Sequence, residues 1–184
     1  LSTACTSGEI DTIAAQVMMV TLFAAGGEST ASLLGSAAWI LATRSDIQRR
    51  LRENPDLLGP FIEETLRYEP PFRGHYRHVR TDTSLAGVDL PADSHLMLMW
   101  GAANRDPAQF ANPDMLDVSR APNRHLAFAS GPHACVGLNL ARLEGRIAIG
   151  RFMARFPHFA AAGPAQRARR ARFRGFTSLP VTLA

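Results

Sequence analysis

Between residues 10 and 42 apolar side chains recur at intervals of three and four, at Ile10, Ile13, Val17, Val20, Ala24, Leu34 and Ile40, which is the spacing of one helical face. This predicts one long helix, buried over most of its length. Thr6 and Glu9 have the spacing of a capping box, in which each side chain satisfies a backbone donor at a helix start, so the helix is expected to begin near Ser7. Midway stands AAGGEST, residues 24–30. Two adjacent glycines inside a helix cost about 1 kcal/mol each relative to Ala; a close backbone approach or a local opening of the hydrogen-bond ladder would offset that.

Residues 44–52 read as a short helix with a polar face, ended near Asn54-Pro55, and residues 61–68 as another, stopped by Pro70 and Pro71. From 77 to 98, alternation and turn residues predict short strands of a small sheet. Residues 101–124 are rich in Pro, Asn and Asp and form an irregular segment unusually long for a chain with no use for it. Residues 138–156 are predicted helical, with Leu140, Leu143, Ile147 and Ala154 on or near one face. The tail, 173–183, reads as a hairpin or edge-strand region. The pattern is mainly α with small β-sheets.

A hydrophobic fraction of 46% over 184 residues is enough to bury a core, so disorder is not the expectation. Polar residues such as Gln16 and Glu28 interrupt the most apolar stretch, and no uninterrupted run reaches the roughly 18 apolar residues expected of a membrane span, so no membrane partner is expected. The sequence opens on Leu1, with no Met and no basic segment leading into an apolar stretch; no secretory signal is read, and the sequence is expected to be a fragment. The two cysteines, Cys5 and Cys135, form no CxxC, which suggests neither a disulfide framework nor a zinc finger and fits a reducing, cytoplasmic setting. The net charge of +4 comes from 20 basic residues, all Arg, against 16 acidic ones. The dense cluster Arg167, Arg169, Arg170, Arg172 and Arg174 lacks the regularly alternating aromatics of a stacking platform, and so reads as a solvated surface rather than a nucleic-acid platform.

The chemistry concentrates at FASGPHACVG, residues 128–137. Gly131 and Gly137 let the backbone fold tightly around Cys135, and a helix starting near Gly137 would turn its free N–H groups and positive dipole end toward the sulfur, an environment that favours a thiolate. Taken alone, Cys135 could be a nucleophile, a redox sensor, a metal ligand or a buried structural residue. His133, two positions away, is poorly placed as a base in an extended loop. The histidines at 75, 78, 95, 125, 133 and 158 make no standard zinc pattern with Cys135.

Phe128, Gly131, His133, Cys135 and Gly137, followed by LNLARLE, resemble the haem-binding loop of the cytochrome P450 family, FxxGxHxCxG leading into its last long helix. Glu64 and Arg67 in EETLR match that family's ExxR helix, and AGGEST, residues 25–30, its oxygen-groove segment. ANRDP, residues 103–107, and RGFTSLPV, residues 174–181, are similar to the bacterial members. The resemblance covers nearly all of this chain but about half of the family fold. It implies the C-terminal haem-ligating part of a single P450 domain over 1–184, with the N-terminal half absent.

By that resemblance the cofactor is haem b, with Cys135 as axial thiolate; such a ligand pushes electron density to iron and favours O–O cleavage. Phe128 would shield the sulfur, and Arg77 and His133 would pair with the haem propionates, where a guanidinium suits a carboxylate. Gly26 and Gly27 would line the dioxygen groove; Glu28 and Ser29 would deliver protons, Ser29 standing where most members carry Thr. Read without the family, these two are polar residues at a helix kink. Glu64 and Arg67 alone read as an ordinary helical surface pair; the resemblance makes them a buried structural pair supporting the haem loop. Arg120 is the candidate third member, because Met115-Leu116 replace the Arg-Phe of many members. Phe72, Arg73, Gly74 and Phe173 fall at substrate contacts, suggesting a lipophilic substrate bearing an acid. The implied activity is monooxygenation of an organic substrate by dioxygen, with electrons from NAD(P)H through a ferredoxin or flavoprotein reductase. The Arg-bearing face around Arg142 and Arg146 could attract such a partner. The alternative is a non-catalytic haem-binding or interaction module, self-associating or awaiting a missing N-terminal half.

Overall fold

Asp11, rather than Thr6, starts the long helix. In the computed structural model, which describes residues 1–170 and 172–183, a short helix α1 (Ser2–Thr6) precedes the break at Gly8, whose φ is +77°. The Thr6 hydroxyl donates back to Ser2 O at 3.1 Å, so it closes α1 instead of opening a new helix. Asp11 is extended, and its carboxylate accepts from the Ala14 amide at 2.7 Å, as an N-cap does. From there α2 (Thr12–Thr43) runs as one α-helix straight through Gly26 and Gly27. The expected local opening is not found. A Cβ at either glycine would meet nothing within 4 Å, so both face open space.

The expectation that α2 is buried over most of its length holds only for its C-terminal half. Leu33, Ala37, Ile40 and Leu41 enter the core, whereas Ile13, Val17, Val20, Leu22 and Phe23 are exposed. In length and average composition α2 is long and apolar enough to cross a membrane; the criterion of an uninterrupted apolar run excluded it, its average composition does not.

Helices α3 (Ser45–Glu53) and α4 (Leu58–Tyr68) follow, with a 3-10 turn at Pro55–Leu57 between them. Helix α5 (Trp100–Ala103) is one turn at the head of the irregular segment, and α6 (Leu138–Arg155) begins at Gly137. Helix α6 turns a different face inward from the one its leucines suggest. Leu140, Leu143 and Ile147 are exposed, Ala154 also, and Gly145, Ile149 and Met153 are buried. Gly145 sets that choice: a Cβ there would lie 3.3 Å from Ile62 and 3.5 Å from Leu33, so α6 approaches α2 and α4 closely along this face. One core results, with Leu33, Ala37, Ile40 and Leu41 of α2 against Ile47 and Leu51 of α3, Phe61, Ile62 and Leu66 of α4, and Ile149 and Met153 of α6. Burial of such side chains is worth about 1.5–3 kcal/mol each.

The strands form two-stranded ladders rather than a single sheet. β1 (His75–His78) pairs antiparallel with β4 (His95–Leu98), His75 opposite Leu98; β2 (Thr83–Leu85) and β3 (Val88–Leu90) make a hairpin inside that connection. Ala86 and Gly87 at its tip both have positive φ, as a tight two-residue turn demands. The tail does not fold on itself. β7 (Phe176–Ser178) pairs with β6 (Gln166–Arg167), and β8 (Val181–Leu183) pairs with β5 (Phe159–Ala161). The partners come from just beyond α6, so the C terminus is tied back to the helical core.

Candidate functional site

Glu64 and Arg67 lie one turn apart on α4 with both side chains fully buried, joined by two hydrogen bonds of 2.8 Å. A buried guanidinium must spend all its donors. The remaining ones go to Asn104 O, Pro113 O and Met115 O, at 2.7–2.9 Å. Three carbonyls of the irregular segment are thereby fastened to one side chain. Glu64 accepts in turn from the Asp117 amide at 2.8 Å and from Asn123 Nδ2 at 3.0 Å. Arg120 Nε stands 3.3 Å from Glu64 Oε2 and spends Nη1 on Ala111 O. Asn104 adds a further tie, its Oδ1 accepting from the Leu126 amide at 2.7 Å. The segment between α5 and the Cys135 loop is ordered by polar ties from α4 more than by its own secondary structure.

That segment delivers the loop 125–137. Its backbone turns at Ala129 (φ +56°) and Gly131 (φ +69°), and the Cys135 amide donates to Phe128 O at 2.9 Å. Cys135 is an exposed free thiol, close to the start of α6: a Cβ on Gly137 would lie 3.9 Å from its sulfur. The Phe128 ring packs partly buried against the core, while His133, Gly131 and Pro132 are exposed on a 3-10 turn. Among the described residues no group of three or more His, Cys, Asp or Glu is gathered for a metal ion. A single exposed thiol suits an iron held in a macrocycle that needs one axial donor from protein, and does not suit a zinc site, which needs about four.

The sequence reading passed over Glu63, one position before Glu64. Its carboxylate grips Arg142 of α6 in a fork of 2.7 and 2.8 Å and meets His125 Nε2 at 3.2 Å. Burial opposes ionisation of Glu63, but the bonds from His125 and Arg142 outweigh it and hold the carboxyl down to about 2. Because the folded pKa lies below the unfolded one, Glu63 adds stability that is complete above about pH 4.5 and is lost as pH falls toward 2. Acid unfolding followed by circular dichroism should therefore be steeper in the parent than in Glu63→Gln across that window, and equal slopes would show that Glu63 has no charge-stabilising role. Arg142 gives Nε and Nη2 to Glu63 while its side chain stays 35% exposed, and Arg146 is exposed.

The other sequence candidates are brought together unevenly. Glu28 forms an ion pair with Arg170, and the Ser29 hydroxyl donates to Ala25 O at 2.6 Å, the back-bond of a serine inside a helix. It is Thr30, next door, that reaches α6, donating to Glu144 at 3.3 Å. Glu28 and Arg170 flank a cavity of about 470 Å³ with Ser32, Phe173 and Phe176. Phe72 and Phe173 meet across an isolated antiparallel bridge with ring centroids 4.3 Å apart. Gly74 is buried where a Cβ would lie 2.7 Å from Leu98 O, so it reads as a requirement of β1–β4 pairing. Arg73 is exposed and lines a separate cleft of about 210 Å³ with Glu69, Arg105 and Arg174. Arg77 is half-buried and gives Nη1 to Tyr76 O at 2.9 Å. Its neighbour His75 accepts from Trp100 Nε1 at 2.7 Å; burial first, then Arg77 and Arg172, push its pKa down.

A family model described as cytochrome P450 matches residues 6–166. Cytochrome P450 144 of Mycobacterium tuberculosis (strain ATCC 25618 / H37Rv) is 70% identical over 150 residues, 81% of this chain and 35% of that protein. The biotin biosynthesis cytochrome P450 of Bacillus subtilis (strain 168) is 42% identical over 164 residues, 89% of this chain and 42% of that one. Among solved structures, the cytochrome P450 PksS of the Bacillus subtilis 168 bacillaene polyketide synthase superposes with a TM-score of 0.88 at 36% identity, over 91% of this chain and 44% of that one. The chain thus spans less than half the length of these proteins. A free thiol on a glycine-flanked loop, braced by a buried ExxR pair and matched over most of its length by these models, puts this chain in the cytochrome P450 family.

Proposed function

We propose that this chain is the haem-ligating, C-terminal part of a single cytochrome P450 domain whose activity is monooxygenation of a lipophilic organic substrate. The observation that carries the proposal is Cys135, a free, exposed thiol at the start of α6 on a loop tied through Asn123 and Asn104 to the buried Glu64–Arg67 pair. Haem bound here would supply the dioxygen activation that monooxygenation needs. Cys135 Sγ would be the protein ligand that holds it, as a thiolate. Arg77, with donors to spare beyond its bond to Tyr76 O, and the exposed His133 would hold the propionates. The bare backbone at Gly26 and Gly27 leaves room beside α2. Glu28 and Ser29 deliver protons, for which Glu28 must leave Arg170 and the Ser29 hydroxyl must turn away from Ala25 O. Phe72 and Phe173 offer an apolar edge to the substrate. Electrons come from NAD(P)H through a ferredoxin or flavoprotein, in the cytoplasm.

A second reading is favoured by the exposed apolar side chains of α2 and α6, among them Val17, Val20, Phe23, Leu140 and Ile147. So much apolar surface marks a contact, and the chain alone would then be a haem-binding module waiting for a further segment or a second copy. The test is the carbon monoxide spectrum of the haem-loaded, dithionite-reduced chain, taken on the monomer fraction from a sizing column. A strongly red-shifted Soret band on that monomer supports thiolate ligation by this chain alone; a band carried only by oligomers, and missing from the monomer, favours the second reading.

A further inference from the structure

The Ala129 backbone sits at φ +56°, a region that a side chain with a Cβ seldom adopts and that persists only where the surroundings over-determine it. This turn aims Phe128 O at the Cys135 amide. The loop's own bonds are few: Ala129 N to Leu126 O, Ala134 N to Gly131 O and Cys135 N to Phe128 O. Something outside the loop must hold Phe128 still.

Arg142 is placed to do so. Its guanidinium lies over the Phe128 ring, 4.9 Å from the centroid, within the range of cation–π attraction. Glu63 fixes that guanidinium in plane by its two-bonded fork and at the same time holds His125. The His125 ring is 6.0 Å from the Phe128 ring, and His125 Nδ1 accepts from the Ala127 amide at 3.3 Å. The His125 side chain is only 2% exposed, against 28% for Glu63 and 35% for Arg142. One carboxylate on α4 therefore organises a cation on α6 and an imidazole at the root of the loop, and the Phe128 ring lies against both.

We propose that Glu63 and Arg142 form a clamp that positions Cys135: they grip the Phe128 ring, and the Phe128 carbonyl then holds the Cys135 backbone in the conformation that presents the sulfur. Both are positioning residues, acting through Phe128. The inference rests on the reading of Cys135 as the haem ligand, but its first test needs no haem. Hydrogen exchange resolved at single amides is measured on the chain and on Glu63→Gln, Arg142→Gln and Arg142→Lys. The Cys135 and Ala129 amides are expected to exchange about tenfold faster in the two Gln variants, with the amides of Leu66 and Ile149 unchanged. Arg142→Lys keeps a cation without the planar fork and should fall between, which decides the matter if Arg142→Gln does not fold.

Unchanged exchange at Cys135, or equal acceleration at Leu66 and Ile149, overturns the clamp and leaves an ordinary stabilising ion pair. On the haem-loaded variants the fraction of the carbon monoxide complex with the red-shifted band should fall in the same order. A parent chain that shows no such band sinks the haem reading, while the exchange result still decides the clamp.

Discussion

Cys135→Ala is expected to abolish the red-shifted carbon monoxide band completely, and Cys135→His to restore haem binding without that band. The physical basis is the charge on sulfur. A thiolate donates negative charge along its bond to iron, and a neutral imidazole does not, so only the first alters the spectrum in this way. The only other cysteine, Cys5, lies in α1 at the opposite end of the chain. The side chain of Cys135 is exposed, so its truncation should change stability by no more than about 0.5 kcal/mol, and a lost band cannot be blamed on unfolding. Denaturation midpoints measured beside the spectra check this point. An alanine variant that kept the red-shifted band would remove Cys135 from the haem and the proposed function with it.

The residues that were readable in sequence are those whose role is local. The glycines around Cys135, the start of α6 at Gly137 and the end of α3 at Asn54 follow from backbone chemistry acting over a few positions, and the structure keeps them. Misplaced features depended on a competitor or a partner distant in sequence. Thr6 had the spacing of a cap, but its hydroxyl was taken by Ser2 and Asp11 took the role. The leucines of α6 gave a plausible apolar face, whereas packing chose the face on which Gly145 permits close approach to Ile62 and Leu33. Glu63 carried no signal because its meaning lies in Arg142 and His125, more than sixty residues on. Asn123 was likewise overlooked, although an Asn inside an irregular segment beside a buried carboxylate is a natural donor. Periodicity also cannot tell an apolar residue facing a core from one facing open space, as Val17 and Phe23 do in α2.

The largest loss of stability is expected at Arg67. An exposed pair at this helical spacing is worth a few tenths of a kcal/mol, but both side chains here are fully buried, and removing one partner of such a pair costs about 3–5 kcal/mol. Arg67→Ala leaves the Glu64 carboxylate with the Asp117 amide, Asn123 and the more distant Arg120, and strips Asn104 O, Pro113 O and Met115 O of their donor. Glu64→Gln keeps the shape and an acceptor, so it should cost less. Against a total stability of about 5–15 kcal/mol, Arg67→Ala should take away a large share of the cooperative urea transition. A midpoint shift worth less than about 1 kcal/mol would mean that the pair is solvated in solution. The double change Glu64→Leu with Arg67→Met separates two explanations. An isolated buried pair can be replaced by apolar groups at little cost. Here the double variant should stay well below the parent, because the three carbonyls of the 104–115 segment remain buried without donors; recovery to parental stability would show that Arg67 serves Glu64 alone and does not bind that segment.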